Sequence, residues 1–254
     1  MAIQIAEIRK ELASIGEIDA YRSFIEKYSD DDRQGVKNLI ASADKKIAAI
    51  QAELKRLEKM REFENAHPDL EFICGIDEVG RGPLAGPVYA AAVILPKDCK
   101  ILYINDSKKL SEKKREELYS EIMEKAVSVG IGFSTHERID EINILQATYE
   151  AMAKAVSELT VKPELLLLDA VHVPQLEEYR QESIIKGDAK SVSIAAASIV
   201  AKVTRDHLME EYDRQYPGYG FASNKGYGAE AHIKALKEIG PCPIHRRSFI
   251  KNFI

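Results

Sequence analysis

The chain has 254 residues, 45% of them hydrophobic, enough to bury the core of one large or two modest domains. Its 41 acidic and 36 basic side chains leave a net charge of -5, which excludes a global basic field for nucleic acid but allows a local basic face. Cys74, Cys99 and Cys242 are odd in number and far apart, against a disulfide framework; with no signal-like start and no apolar run of about twenty residues, a cytoplasmic protein without membrane association is expected.

In chain order, Ile3, Ile8, Leu12 and Ile15 are spaced for a short amphipathic helix and Tyr21 to Tyr28 for another, with Asp30-Asp31-Asp32 as a turn or helix start. Ile40, Ala43, Ile47, Ile50, Leu54 and Leu57 then recur at steps of three and four, in a long helix running towards Arg61 or Glu64. The repeat covers too few heptads to establish a coiled coil, and an antiparallel helical hairpin with a nearby preceding partner satisfies the same stripe. Pro68 closes the segment. No cluster of Asp, Glu and His in it suggests chemistry.

A second region opens near Leu70. Ile73, Cys74 and Ile76 read as the buried part of a strand from Phe72 to Val79, with Asp77 and Glu78 where it runs out into Gly80-Arg81-Gly82-Pro83; Val88 to Leu95 reads as the next strand. Gly80, Gly82 and Gly86 resemble a dinucleotide fingerprint, but the last spacing is one residue too long for GxGxxG and Pro83 removes a donor. Two carboxylates at that mouth repel a pyrophosphate unless a metal lies between them. A metal site is therefore the sharper expectation and a solvated turn the plainer one. Consecutive strand residues point to opposite faces, so the pair shares a cation only if the strand bends or one member acts through water or backbone.

Asn105 to Leu110 forms a polar loop, Ser111 opens a helix to about Val127, and Val129 to Phe133 is spaced for a short strand. Thr135 precedes a helix with Ile139, Ile142, Leu145, Met152 and Val156 broadly on one side. Leu165 to Leu168 reads as a buried central strand ending in Asp169, and strand ends are where α/β proteins gather ligands, although a helix can end in such an Asp as well. Ser183 to Ile185 is another strand candidate, and Lys186-Gly187-Asp188 turns out of it. Asp77, Glu78, Asp169 and Asp188 brought close together would force some carboxyls to stay protonated unless divalent cations were present.

Ser191 or Ser193 opens a helix from Ile194 to about Tyr212, with Ser198, Lys202 and Arg205 on one face, either solvated or turned to a ligand. The stretch YPGYGFASNKGYG offers rings for stacking and glycines for close backbone approach. Ala229 to Ile239 forms a final helix stopped by Gly240-Pro241. From Lys225 to the end there are six Lys or Arg and two Glu, a basic terminal section suited to phosphate.

The pieces IDEVGRGPLAGPV, NDSKKLS, INILQAT, LLLLDA, KGDAKSVSIAAASIVAKVTRD, YGFASNKGYGAEAHIKAL and HRRSF, in this order from Phe72 to Phe249, resemble the bacterial type 2 ribonuclease H family, ribonuclease HII. The first seventy residues resemble a helical extension carried by some members. The resemblance implies an α/β fold: a ribonuclease H-like mixed sheet flanked by helices over residues 70–213, a helical carboxyl-terminal section over 214–254 that clamps the duplex, and an all-helical appendage over 1–69. It maps catalytic, metal-holding carboxylates onto Asp77, Glu78, Asp169 and Asp188, with two Mg2+ or Mn2+ ions expected when substrate is bound. Gly80-Arg81-Gly82 resembles the backbone-rich loop that senses the ribose 2′-hydroxyl, and Tyr227 the tyrosine that packs on the sugar beside the cut. Lys108, Ser198, Lys202, Asn224, Lys225, Arg246 and Arg247 fall in segments expected near substrate phosphates, although Asn224 stands where many members carry histidine.

The implied activity is hydrolysis on the 5′ side of a ribonucleotide, in RNA–DNA hybrids and in DNA duplexes with embedded ribonucleotides, leaving a 3′-hydroxyl and a 5′-phosphate. A monomer is expected, with the amino-terminal helices available to substrate or to a protein partner. The residues without the resemblance reach only a divalent-metal phosphodiesterase on nucleic acid, with a non-enzymatic duplex-binding protein as the rival.

Overall fold

The structure is a computed structural model describing residues 3–254, and it divides into two compact units, one ending at Lys59 and the other running from Met60 to Ile254.

The first unit holds α1 (Ile5–Ala13), α2 (Ile18–Tyr28) and most of α3 (Gln34–Met60). Ile8, Leu12, Tyr21, Phe24, Tyr28, Val36, Leu39 and Ala43 form its buried core, with Ile47 and Ile50 partly covered. The stripe on the long helix is thus met from Ile40 to Ile50 by the two helices before it, the preceding partner its spacing asked for, while Leu54 and Leu57 lie outside this core. Polar ties finish the packing: the Tyr28 hydroxyl donates to Glu11 Oε2 at 2.7 Å, and Tyr21 donates to the Ile15 carbonyl at 2.6 Å.

In the second unit the short helix α4 (Glu62–Asn65) precedes β1 (Ile73–Val79) and β2 (Val88–Ile94); α5 (Glu112–Lys125), β3 (Ser128–Ser134), α6 (His136–Ser157), β4 (Leu165–Asp169) and β5 (Gln181–Ile184) follow. The five strands make one mixed sheet in the order β3-β2-β1-β4-β5, antiparallel from β1 to β3 and parallel from β1 to β5. All four leucines of β4 are fully buried, as both-face coverage of a central strand requires. Cys74, Ile76, Leu166 and Leu168 pack with Ala151, Met152 and Val156 of α6; on the other face Ile73, Leu165 and Leu167 meet Ile194 of α7 (Val192–Gln215). Gly75 permits that second contact, because a Cβ there would overlap the backbone of Ser193.

Helix starts follow the capping residues. The hydroxyls of Ser111, Thr135 and Ser191 accept from the amides of Lys114, Arg138 and Ile194 at the first turns of α5, α6 and α7. The helix after Thr135 is broken at Asn143, which has a φ of 69° and whose Oδ1 accepts from the Leu145 and Gln146 amides, so it caps a second segment. A continuous stripe from Ile139 to Val156 was expected; the side-chain cap explains the break. Helices α8 (Phe221–Asn224), α9 (Glu230–Ile239) and α10 (Arg247–Ile250) make up the carboxyl-terminal section, whose buried residues include Tyr219, Phe221, Leu236, Cys242 and Ile244. Among the described residues no helix is long and apolar enough to cross a membrane.

Candidate active site

Strands β1 and β4 run parallel with Ile76 opposite Leu168, which places Asp77 and Asp169 side by side where both strands end. Strand β1 continues through the acidic pair and ends at Val79, the end its sequence pattern predicts. Asp77 is only 6% exposed and lies on the α7 face, where Ser198 donates to it. Ser198 is in turn hydrogen-bonded to the buried Ser107 hydroxyl at 2.9 Å. Burial first, then the fields of Glu78 and Asp169, hold the Asp77 carboxyl well above the usual carboxylate range.

Glu78 is raised by burial as well, against the pull of Arg81, whose Nη1 lies 3.4 Å from Oε1; Asp169 raises it further and Lys108 lowers it. Strand alternation would separate Asp77 from Glu78, yet both feel Asp169 from the end of β1. The other Glu78 oxygen, Oε2, is buried with no hydrogen-bond partner.

Asp188 lies on the tight turn Gly187–Ala189 after β5, with Lys186 before it in the left-handed region at a φ of 60°. The Gly187 amide donates to Asp169 Oδ1 at 2.7 Å, which ties the two acidic turns together. Asp188 is raised by burial and then by Asp106 and Asp169. Burial disfavours the Lys108 ammonium, but Asp77, Asp106 and Asp188 outweigh it and leave its pKa raised.

The four expected carboxylates therefore share one electrostatic neighbourhood. Among the described residues no three His, Cys, Asp or Glu groups stand as a finished metal cage. The donor set still fits divalent cations: all-oxygen, acidic, mutually repelling, and with one buried carboxylate oxygen lacking any partner. Asp106 is a fifth carboxylate beside Asp188, in the same NDSKKL loop as Lys108, where its local sequence does not distinguish it from a solvated loop acid.

The loop after β1 is held from beneath. Gly80 has a φ of +91°, and a Cβ on it would collide with the Arg205 side chain. Arg205 and Arg246 are both fully buried. Arg205 donates to the carbonyls of Pro87, Lys225 and Ala85 at 3.0, 2.8 and 3.2 Å; Arg246 donates to those of Gly86, Arg81 and Gly80 at 2.9, 3.0 and 2.6 Å. Arg246 was expected to meet phosphate; its buried donors are committed to main chain instead. Arg205 likewise leaves the face it was assigned with Ser198 and Lys202. A buried loop must satisfy its carbonyls, and a forked guanidinium does so with three donors at once.

Other expected contacts divide. Tyr227 is 43% exposed, and a Cβ at Gly82 would stand 3.5 Å from its Cε1, so ring and loop face each other. Arg247 is exposed. Lys202 is half-buried and paired with Asp206 at 2.7 Å, and Lys225 with Glu210 at 2.6 Å. Asn224 works within its own turn, its Oδ1 accepting from the Gly226 amide at 2.8 Å and its Nδ2 donating to the Tyr219 carbonyl at 2.7 Å. Behind Tyr227 lies a buried pair of histidines that sequence gave no reason to single out: His232 Nδ1 donates to the Tyr227 carbonyl at 2.8 Å, and its Nε2 is 3.0 Å from that of His245.

A family model described as ribonuclease HII matches residues 74–252, and one described as the ribonuclease HII N-terminal domain matches residues 4–67. The chain is 65% identical to ribonuclease HII of Lachnoclostridium phytofermentans over 252 residues, covering 99% of this chain and 98% of that protein. It is 51% identical to the Enterococcus faecalis ribonuclease HII over 98% of each. Among solved structures, ribonuclease H2 from Pyrococcus horikoshii OT3 aligns with a TM-score of 0.60 at 27% identity, over 70% of this chain and 93% of that one.

Proposed function

The chain belongs to the ribonuclease HII family, and from that premise we propose that it cuts duplexes on the 5′ side of a ribonucleotide, leaving a 3′-hydroxyl and a 5′-phosphate. The substrates are the RNA strand of RNA–DNA hybrids and ribonucleotides embedded in DNA. One observation carries the reading: Asp77 and Glu78 on β1, Asp169 at the end of β4 and Asp188 on the turn after β5 share one electrostatic neighbourhood, in which the charge of Asp77, Glu78 and Asp188 is disfavoured and Glu78 Oε2 is unpartnered.

Family membership implies divalent-metal catalysis, and these four carboxylates are the groups that would hold two ions, Mg2+ or Mn2+. Bound there, such ions supply a water of lowered pKa and positive charge for the departing 3′-oxygen. Ser198 and Ser107 hold the Asp77 carboxylate in place, and the Gly187 amide holds that of Asp169. Lys108 brings positive charge to the same acidic neighbourhood, suited to a substrate phosphate. Gly80-Arg81-Gly82 meets the ribose through its backbone, and the exposed Tyr227 ring packs on the sugar next to the cut. Arg247 contacts phosphate further along the duplex. The amino-terminal helices add affinity for substrate or for a protein partner, and the enzyme acts as a cytoplasmic monomer.

A duplex carrying a single ribonucleotide, digested with either metal and mapped at nucleotide resolution, tests this. The expected cut lies on the 5′ side of the ribose and disappears when that ribose is replaced by deoxyribose. Comparable cutting of the all-DNA duplex would assign the chain a different strand choice.

A further inference from the structure

We propose that Arg246, braced by Arg205, is a positioning residue for ribose discrimination: it turns the backbone amides of Arg81 and Gly82 towards the 2′-hydroxyl. This deepens the ribonucleotide reading above and rests on it.

All six acceptors of the two guanidiniums are main-chain carbonyls, and five of them, at Gly80, Arg81, Ala85, Gly86 and Pro87, belong to one loop. No carboxylate is among them. The cost of burying both charges shows in their depressed pKa values, about 10 for Arg205 and about 9 for Arg246, each chiefly from burial. Asp206 and Asp140 act on the two guanidiniums only from a distance, and two buried cations with no carboxylate bonded to them among the described residues are an expensive way to satisfy a loop, since water or a small polar side chain could satisfy carbonyls near a surface. Their use calls for a reason beyond stability.

The peptide plane supplies one. In a trans peptide the N–H points away from the carbonyl it is joined to. With the Gly80 and Arg81 carbonyls drawn inward to Arg246, the amides of Arg81 and Gly82 must face the opposite, open side. Both residues are exposed, and neither amide donates to another backbone carbonyl among the described residues. On that side the Arg81 side chain meets Glu78 and Gly82 faces the Tyr227 ring, so the two N–H groups border the acidic cleft. A pair of preset donors there accepts a ribose oxygen without having to reorganise. Arg205 keeps the frame rigid by joining the far end of the loop to the Lys225 carbonyl, two residues before Tyr227. Lysine could not replace Arg246, because a single ammonium on a flexible stem cannot match three carbonyls in the plane of a fork.

The test compares Arg246→Lys with the unaltered protein on two duplexes, one with a single ribonucleotide and one with 2′-fluoro-2′-deoxyribose at that position, the fluorine being a poor acceptor. The ratio of kcat/KM for ribose over 2′-fluoro should fall about tenfold in the variant, the worth of one well-placed hydrogen bond. A purely structural role lowers both rates together and leaves the ratio as it was; that result, or an unchanged variant, overturns the proposal. If Arg246→Lys does not fold, hydrogen exchange on the unaltered protein decides. The Arg81 and Gly82 amides should exchange quickly in the free protein and be protected by the ribonucleotide duplex but not by the 2′-fluoro duplex, whereas protection without substrate means that they point inward and overturns the proposal. An unaltered protein that cut both duplexes equally would remove the ribonucleotide reading itself, a failure distinct from either of these.

Discussion

Asp77 carries a charge that its surroundings resist: it is buried, it borders Glu78 and Asp169, and a Ser198 hydroxyl is its main relief. Replacing the carboxylate with an amide of the same shape removes the repulsion and the metal-holding oxygen together. Asp77→Asn should therefore fold with a thermal midpoint at least as high as the unaltered metal-free protein, while turnover drops by a factor on the order of 10³. Cleavage measured beside circular dichroism checks both halves, and a folded variant with full activity would remove Asp77 from the site. His245 makes a different prediction. It is almost fully buried, and burial brings its pKa down to about 4 from an ordinary value of 6.5. Its folded state refuses a proton that the unfolded chain accepts below pH 6.5, so its contribution is complete above that pH and is lost as pH falls towards 4. The loss amounts to about 3 kcal/mol at most. Urea unfolding at pH 7 and pH 5 should show the decline, and His245→Gln should flatten it.

At the scale of elements, the site depends on how closely α7 approaches β1. Ser191 caps α7 by accepting from the Ile194 amide, and its hydroxyl donates to Glu64 Oε1 at 2.6 Å; the same oxygen accepts from the Ser193 amide at 3.0 Å. Those bonds fix the amino end of the helix to α4, while Ser193 packs on β1 at Gly75, two residues before Asp77, and Ser198 lies about one and a half turns along the helix from that contact. Gly75→Ala forces the contact apart, because the added methyl overlaps the Ser193 backbone, which cannot rotate away. A loss of about 2 kcal/mol or more in unfolding free energy is expected, as for overpacking against main chain. Activity should fall further than stability alone accounts for, since Ser198 moves with the helix. Unfolding titrations read beside kcat will show whether the two losses separate.

At the scale of the molecule, the division near Lys59 means that the sheet, the carboxylates and the carboxyl-terminal section all belong to one unit. A chain begun at Met60 should keep the circular dichroism of a mixed α/β fold and its cleavage position, with KM for a ribonucleotide-containing duplex raised several-fold and kcat little changed. Unchanged affinity together with unchanged stability would deny the amino-terminal helices both a substrate and a folding role.

Much of this could be read from residues alone, because it depends on periodicity and local chemistry. The leucine run of β4, the serine and threonine caps and the stripe on α3 each carry their own signal, and the ordered motifs from Phe72 to Phe249 brought the four carboxylates with them. What sequence could not show was the direction of each polar group. Lys202, Arg205, Lys225 and Arg246 have the composition of a phosphate-binding face, yet two pair with acids and two are buried against carbonyls. Asp106 and His232 gain meaning only from what lies beside them. A basic residue costs the same in sequence whether it faces solvent or main chain; packing alone decides which, because it sets the acceptors within reach and whether water competes for them.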